Sequence, residues 1–178
     1  MLIAQQKKKD NIAEYVLYMW QLEDIIRANK FDYAAIKKLL VEPLQVDVSA
    51  KEEIAAWYNQ MIDKMKAQGL REKGHLAELN ELVVEMQYLH QTLLNVLNDS
   101  KYEKLYLSTK LNIDALKSKS GSIAENEIYV CLNGLYGLLI FRLKKQAISD
   151  ETTEAMLSIS RLIAYLTSKY KEVNRAVK

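Results

Sequence analysis

The apolar residues along most of this chain recur at steps of three and four, the spacing that predicts amphipathic α-helices. The pattern is clearest near the C-terminus, where Met156, Ile159, Ile163, Leu166 and Tyr170 fall on one line. Similar stretches, separated by turn residues, predict helices near residues 10–30, 33–41, 50–68, 71–98, 100–118, 123–147 and 150–176. The sequence therefore predicts an all-α protein, a single-domain bundle of about six to seven helices over residues 1–178. We expect residues 1–9, which are basic, to form a flexible or frayed end.

Polar residues at the predicted helix starts support this division of the chain. A Ser followed three residues later by Glu can form a capping box, in which each side chain bonds to a backbone N–H at the helix start. Three such pairs occur: Ser49 with Glu52, Ser100 with Glu103 and Ser122 with Glu125. Asp32 and Ser149 favour two further starts, near residues 33 and 150.

Two of the predicted helices, near residues 10–30 and 123–147, are apolar around almost their whole circumference, which is typical of buried helices. We expect these two helices at the centre of the bundle. Gly134 and Gly137 lie one turn apart on the second of them, and each costs about 1 kcal/mol of helix propensity relative to Ala. This cost indicates a close approach by a neighbouring helix or, alternatively, room for a bound ligand.

Composition and charge exclude several functional classes. The 25 basic and 23 acidic residues give a net charge of +2, which is too balanced to favour nucleic acid as a partner. The most apolar stretch, residues 128–140, is shorter than the ~20 residues of a membrane-spanning helix. The N-terminal residues lack the pattern of a signal peptide, and the single cysteine, Cys131, has no partner for a disulfide within the chain. These features favour a cytoplasmic protein with no membrane partner.

A few polar side chains lie where the helical pattern requires apolar ones, and a buried charge needs a partner. Glu23 lies in the middle of the apolar face of the first helix, with Arg27 one turn later and Trp20 beside it. Arg142 is in line with the apolar face of the 123–147 helix, so we expect its guanidinium to enter the core or a partner surface. We expect Glu23, Arg27 and Arg142 to form one cluster. The cluster is either an internal ion network or a binding site. Because two arginines outnumber one carboxylate, the surplus positive charge could be matched by an anionic small molecule or by another acid such as Glu14 or Asp24.

Both histidines, His75 and His90, project into the apolar face of the predicted 71–98 helix. About 15 residues of helix rise roughly 22 Å, so the two rings cannot share one ion. Glu78 follows His75 by one turn, but a di-metal site in a bundle needs two Glu-x-x-His motifs and two further carboxylates. We therefore expect no metal and no other cofactor. Each histidine is interpreted as a hydrogen-bonded packing residue or, alternatively, as part of a ligand site with the Glu23 cluster.

Three stretches of the chain resemble an uncharacterised family of all-helical bacterial proteins, domain of unknown function 4924, found mainly in Bacteroidetes. They read NIAEYVLYMWQLEDIIRA over residues 11–28, GHLAEL over 74–79 and LYGLLIFRLKKQAIS over 135–149. The resemblance implies a cytoplasmic bacterial protein over nearly the whole chain. Because the family has no assigned activity, it implies no catalytic residues.

The sequence contains no phosphate-binding glycine loop, nucleophile elbow or zinc-binding motif. It does contain 11 Tyr against two Phe, and Tyr suits helix faces that end at water or at a second subunit. The leading hypothesis is therefore a non-enzymatic protein-interaction or structural module that forms homo-oligomers, with a further protein partner as an option. The alternative is a small-molecule or enzyme site at Glu23, Arg27 and Arg142.

Overall fold

A computed structural model describes residues 2–120 and 126–176 of the chain. Within those residues it contains eight α-helices and no β-strand, which confirms the all-α class. The helices are α1 (Leu2–Asp10), α2 (Ile12–Ala28), α3 (Tyr33–Leu40), α4 (Val48–Ala67), α5 (Ala77–Asn95), α6 (Ser100–Ser120), α7 (Glu127–Leu143) and α8 (Asp150–Ala176). The additional helix is α1, which forms where the sequence predicts a frayed end and buries Ala4.

The chain divides into two compact units. The first consists of the described residues within Met1–Lys9 and Glu14–Glu81, and the second of those within Asp10–Ala13 and Leu82–Lys178. The first unit contains α3, α4, nearly all of α1, most of α2 and the first turn of α5. The second contains residues 10–13 and the rest of α5, together with α6, α7 and α8. The single-domain bundle predicted from the sequence stays a prediction.

Short polar side chains set the described helix starts, although not always the ones that the capping boxes indicate. Asp32 caps α3 as predicted, accepting hydrogen bonds from the backbone N–H groups of Ala34 and Ala35. At α4 the cap is Asp47 instead of Ser49, and at the start of α6 the carboxylate of Asp99 accepts from two backbone N–H groups in place of Ser100. An ionised carboxylate is a stronger acceptor than a hydroxyl. An Asp one or two residues upstream therefore caps the helix in place of the Ser.

Two other predicted helix starts have different outcomes. The hydroxyl of Ser149 accepts a hydrogen bond from the backbone N–H of Thr152 at the start of α8, as predicted. The predicted pair Ser122 and Glu125 lies outside the described residues. Just after it, Asn126 caps α7, and its side-chain oxygen accepts from the backbone N–H of Tyr129.

Of the two helices predicted to be central, α2 is buried along its length and α7 is not. α2 buries Val16, Met19, Trp20, Leu22 and Ile26. In α7 the buried residues are confined to the first two turns, Ile128 and Val130 to Leu132. From Gly134 onwards every side chain of α7 is partly or largely exposed, and the prediction of a fully buried helix is wrong for that half.

The directions of the helices in the second unit explain this exposure. α8 runs antiparallel to α6, because Tyr165 bonds to Asp99 while Ser158 lies beside Asn112. In α7, Glu127 contacts Tyr106 and Gly134 lies against Leu116 and Met156, so α7 runs parallel to α6.

The lengths of helix beyond this contact are unequal. About 13 Å of α7 follows Gly134, whereas only about 6 Å of α6 follows Leu116 and about 9 Å of α8 precedes Met156. The last turns of α7 therefore extend past the described end of α6 and past the start of α8.

Candidate functional site

Glu23 is the most buried charged residue that the sequence singles out, with no exposed surface. One carboxylate oxygen lies 2.6 Å from Nδ1 of His75, and the other accepts a hydrogen bond of 2.9 Å from the backbone N–H of Leu76. Both oxygens thus bind the segment that leads into α5. A buried carboxylate is stable only when it is satisfied in this way.

His75 lies in the loop before α5, because that helix begins at Ala77 and not near residue 71. Gly74 has a φ angle of +89°, and this left-handed conformation interrupts the helix predicted near residues 71–98. Gly69, with a φ angle of +70°, lies between two predicted helices. The imidazole of His75 stacks on Trp20, with ring centroids 4.3 Å apart and planes within 16°. His75 and His90 therefore do not share a helix, and the prediction of both on one helix near residues 71–98 is wrong.

Arg27 does not form the predicted ion pair with Glu23 but binds Asp24 and the same loop. Its guanidinium donates to the carboxylate of Asp24 at 2.8 Å and to the carbonyl oxygens of Leu70 and Gly74. The positive charge is thereby compensated without Glu23. Glu23 and Arg27, one turn apart on α2, together hold both ends of the loop 69–76.

Arg142 is exposed near the end of α7, contrary to the prediction that its guanidinium enters the core. Its angular position on the helix is the expected one, in line with buried Ile128 and Cys131. The core ends before it, because α7 extends beyond the neighbouring helices at that point. The predicted cluster of Glu23, Arg27 and Arg142 is therefore replaced by a contact between Glu23 and His75 in the first unit, while Arg142 belongs to the second.

A second polar cluster lies in the second unit, and only His90 in it was predicted from the sequence. The ring Nδ1 of His90 lies 2.7 Å from the hydroxyl of the fully buried Tyr102. Glu127 accepts hydrogen bonds from the Tyr106 hydroxyl and from the ammonium groups of Lys110 and Lys117, all within 3.0 Å. Sequence reasoning missed Glu127 because an acid in the first turn of a helix is ordinarily explained by the helix dipole.

The electrostatics of this second cluster favour a fixed structural network. Burial alone raises the pKa of Glu127, but the hydrogen bonds from Lys110, Lys117 and Tyr106 outweigh it and lower that pKa to about 2. Burial lowers the pKa of His90 below its ordinary value, although Glu127 opposes this effect. These shifts favour an ionised Glu127 and a neutral His90 at pH 7.

Of the two clusters, the contact between Glu23 and His75 is the better suited to bind a ligand or accept a proton. A carboxylate that binds Nδ1 fixes the tautomer of an imidazole and leaves Nε2 as a proton acceptor or ligand. The side chain of His75 is 16% exposed, so a small molecule would reach at most one edge of its ring. Among the described residues, no group of three or more His, Cys, Asp or Glu side chains is arranged to hold a metal ion.

The exposed half of α7 is the other unusual feature of the described surface. Residues 134–143 include seven large apolar side chains, and Phe141 and Leu143 are 48% and 57% exposed. Monomeric proteins rarely expose contiguous apolar areas of more than a few hundred Å². No helix in the described part of the chain is long and apolar enough to cross a membrane.

These features define an all-helical protein with two internal polar clusters and one exposed apolar helix end. A family model described as a domain of unknown function (DUF4924) matches residues 1–176, and the chain belongs to that family. Searches of curated proteins and of solved structures found no match.

Proposed function

We propose that this protein is a non-enzymatic interaction module that self-associates through the exposed half of α7. The observation that carries the proposal is an apolar helix end left half exposed by the helices of its own unit. Burying such a surface against another molecule releases roughly 25 cal/mol for each Å² of apolar area. As part of this proposal, the protein is cytoplasmic and bacterial, as the sequence predicts.

The contacts within the two internal clusters favour a structural role for their polar residues. Both oxygens of Glu23 bind the loop 69–76, and its carboxylate has no contact with solvent. Glu127 is bonded by three donors around one carboxylate. Glu23 is fully buried and the side chain of Glu127 is only 13% exposed, so neither carboxylate is open to a substrate.

Analytical ultracentrifugation over a wide concentration range tests self-association directly. We expect the wild-type chain, whose mass is 20.6 kDa, to sediment increasingly as a dimer as its concentration rises into the micromolar range. Phe141→Lys should abolish this association, because a charge would be buried in the contact. The substitution suits the monomer, since Lys is favoured near the negative end of a helix.

Leu111→Lys is the matched control, because Leu111 is an 83% exposed leucine on α6 and undergoes a similar change in charge. It should associate like the wild type. A wild-type chain that stays monomeric at every concentration would contradict the proposal. Equal loss of association in both variants would show that general surface charge, and not α7, controls it.

A second candidate function, binding of a small anionic molecule, is favoured by the geometry of His75 alone. Its ring is held by Glu23 and Trp20, and among the described residues no hydrogen bond to Nε2 occurs. The surplus of positive charge expected for this site is reduced by the pairing of Arg27 with Asp24. NMR titration with inorganic phosphate tests it. A saturable shift of the His75 ring signals, absent in Glu23→Gln, would support binding, and unchanged signals would refute it.

A further inference from the structure

His75 combines a ring that is fixed by two contacts with a ring nitrogen, Nε2, to which no described residue hydrogen-bonds. Its Nδ1 lies 2.6 Å from a carboxylate oxygen of Glu23, and one face of the ring stacks on Trp20. Glu23 and Trp20 are both fully buried, so the accessible 16% of the His75 side chain lies away from these two contacts. Nε2 is therefore the ring nitrogen that a reagent can reach.

We propose that His75 is a phosphoryl acceptor, modified at Nε2 by a small phosphoryl donor of the phosphoramidate class. Histidine acts as a nucleophile when a neighbouring group orients the ring and keeps the proton on the other nitrogen. Glu23 does both, because its carboxylate accepts from Nδ1 and leaves the lone pair on Nε2. The narrow access to the ring favours a small donor over the surface of another protein. This inference does not depend on self-association through α7, since His75 and its two contacts belong to the first unit.

His90, the other histidine of the chain, is the contrasting case. Its side chain is 5% exposed, and its Nδ1 lies 2.7 Å from the hydroxyl of Tyr102. Its Nε2 lies 3.9 Å from a carboxylate oxygen of Glu127, and burial lowers its pKa. Both nitrogens of His90 thus face groups of its own unit. His90 is accordingly a packing residue and serves as an internal control for His75.

The transfer step balances with the donor alone. The lone pair of Nε2 attacks phosphorus and forms the new N–P bond, while the P–N bond of the phosphoramidate breaks and its electron pair leaves on ammonia. The proton stays on Nδ1, so the positive charge that develops on the ring faces the carboxylate of Glu23 at 2.6 Å. A fixed opposite charge in a buried site stabilises such a developing charge without reorganisation.

The position of His75 in the chain also suits the phosphorylated product. α5 begins at Ala77, two residues later, and the N-terminal end of a helix carries a partial positive charge. A phosphoryl group close to a helix N-terminus is favoured by that charge. The helix dipole of α5 therefore favours the negative charge that modification of His75 would add.

Reaction of the native chain with phosphoramidate tests the proposal, followed by phosphorus–proton correlation NMR, which identifies the residue and the nitrogen that carry phosphorus. N-acetylhistidine in the same solution gives the rate of an imidazole that nothing activates. We expect phosphorus on Nε2 of His75, roughly tenfold or more faster than on N-acetylhistidine, although the ring of His75 is mostly buried. His90 should stay unmodified until urea unfolds the chain. A rate at His75 no higher than that of N-acetylhistidine, or phosphorus on Nδ1, would overturn the proposal.

Two carboxamide variants test whether Glu23 activates the ring. In Glu23→Gln the amide oxygen still accepts from the Leu76 N–H, while the amide NH₂ group donates to Nδ1 and moves the ring proton to Nε2. Nε2 then has no lone pair, so phosphorylation of His75 should slow by roughly tenfold or more. Glu78→Gln, at the exposed ion pair with Lys64, is the matched control and should react like the wild type.

Circular dichroism establishes that both variants are folded. Equal rates in Glu23→Gln and the wild type would show that Glu23 does not activate His75, and the proposal would be wrong. If Glu23→Gln does not fold, the comparison of the wild-type chain with N-acetylhistidine decides the question by itself.

Discussion

Replacement of Glu23 by Ala tests whether its carboxylate fastens the loop before α5. The change removes the acceptor of the Leu76 N–H and the partner of His75 Nδ1. Leu76 is 1% exposed, so water does not replace the lost acceptor. A buried unsatisfied backbone donor costs about 1–3 kcal/mol, and the cavity left by the side chain adds to that cost. We expect Glu23→Ala to lower the free energy of unfolding by about 3 kcal/mol.

Two further variants separate the contribution of the Leu76 hydrogen bond from the general effect of removing a Glu side chain. Glu23→Gln retains the oxygen that accepts from Leu76 and fills the same volume, so we expect a loss of only about 1 kcal/mol. Glu78→Ala removes a carboxylate from an exposed ion pair with Lys64, where each side chain is about half exposed. Such surface pairs contribute about 0–1 kcal/mol, and this variant is the control for loss of a Glu.

Urea denaturation followed by circular dichroism measures all three changes, and hydrogen exchange of the Leu76 amide reports the local contact. Exchange at Leu76 should accelerate in Glu23→Ala and stay slow in Glu78→Ala. A loss below 0.5 kcal/mol in Glu23→Ala, or equal losses in Glu23→Ala and Glu78→Ala, would refute the role of Glu23 as a fastener.

Three other predictions follow from the second unit. Because the pKa of Glu127 is lowered to about 2, its ionised form stabilises the fold above its ordinary pKa, and this stability is lost as the pH falls from about 5 to 2. Glu127→Gln should lose about 1–2 kcal/mol at pH 7 and show a flatter acid limb in urea titrations. At concentrations where the chain is monomeric, Gly137→Ala should raise the free energy of unfolding by up to ~1 kcal/mol, and the thermal midpoint with it. Gly134→Ala should not, because its Cβ would displace Leu116. Burial raises the pKa of Cys131 to about 12, so its thiol should stay unreactive to a disulfide reagent until urea unfolds the chain.

The order and approximate extent of seven helices are readable from the sequence because periodicity and capping both depend on near neighbours in the chain. Asp32 and Ser149 cap where they were expected. α1 was missed because its Lys7, Lys8 and Lys9 obscure any apolar pattern. The start of α5 was placed about six residues early, since the left-handed conformation at Gly74 is not visible in the spacing of apolar residues.

The residues of the candidate site were partly predictable, and their partners were not. The apolar pattern around Glu23 correctly marks it as a buried carboxylate that needs a partner. The choice between Arg27 and His75 depends on how the loop 69–76 returns to α2, which is a non-local property. Glu127 and Tyr106 are separated by 21 residues and meet only because α7 runs parallel to α6. No pattern along a single helix contains that information.

The exposure of α7 shows why an apolar sequence does not identify the surface that buries it. A helix that is apolar on all sides is stable in water only if most of its circumference is covered, but the covering group can belong to the same chain or to a second one. The first two turns of α7 are covered by their own unit, and the turns after Gly134 are not. Arg142 follows the same logic, since its position on the helix suits a buried face while its position along the helix lies past the core. Self-association through α7, as proposed above, would account for the apolar pattern and for the partner surface expected at this end of the helix.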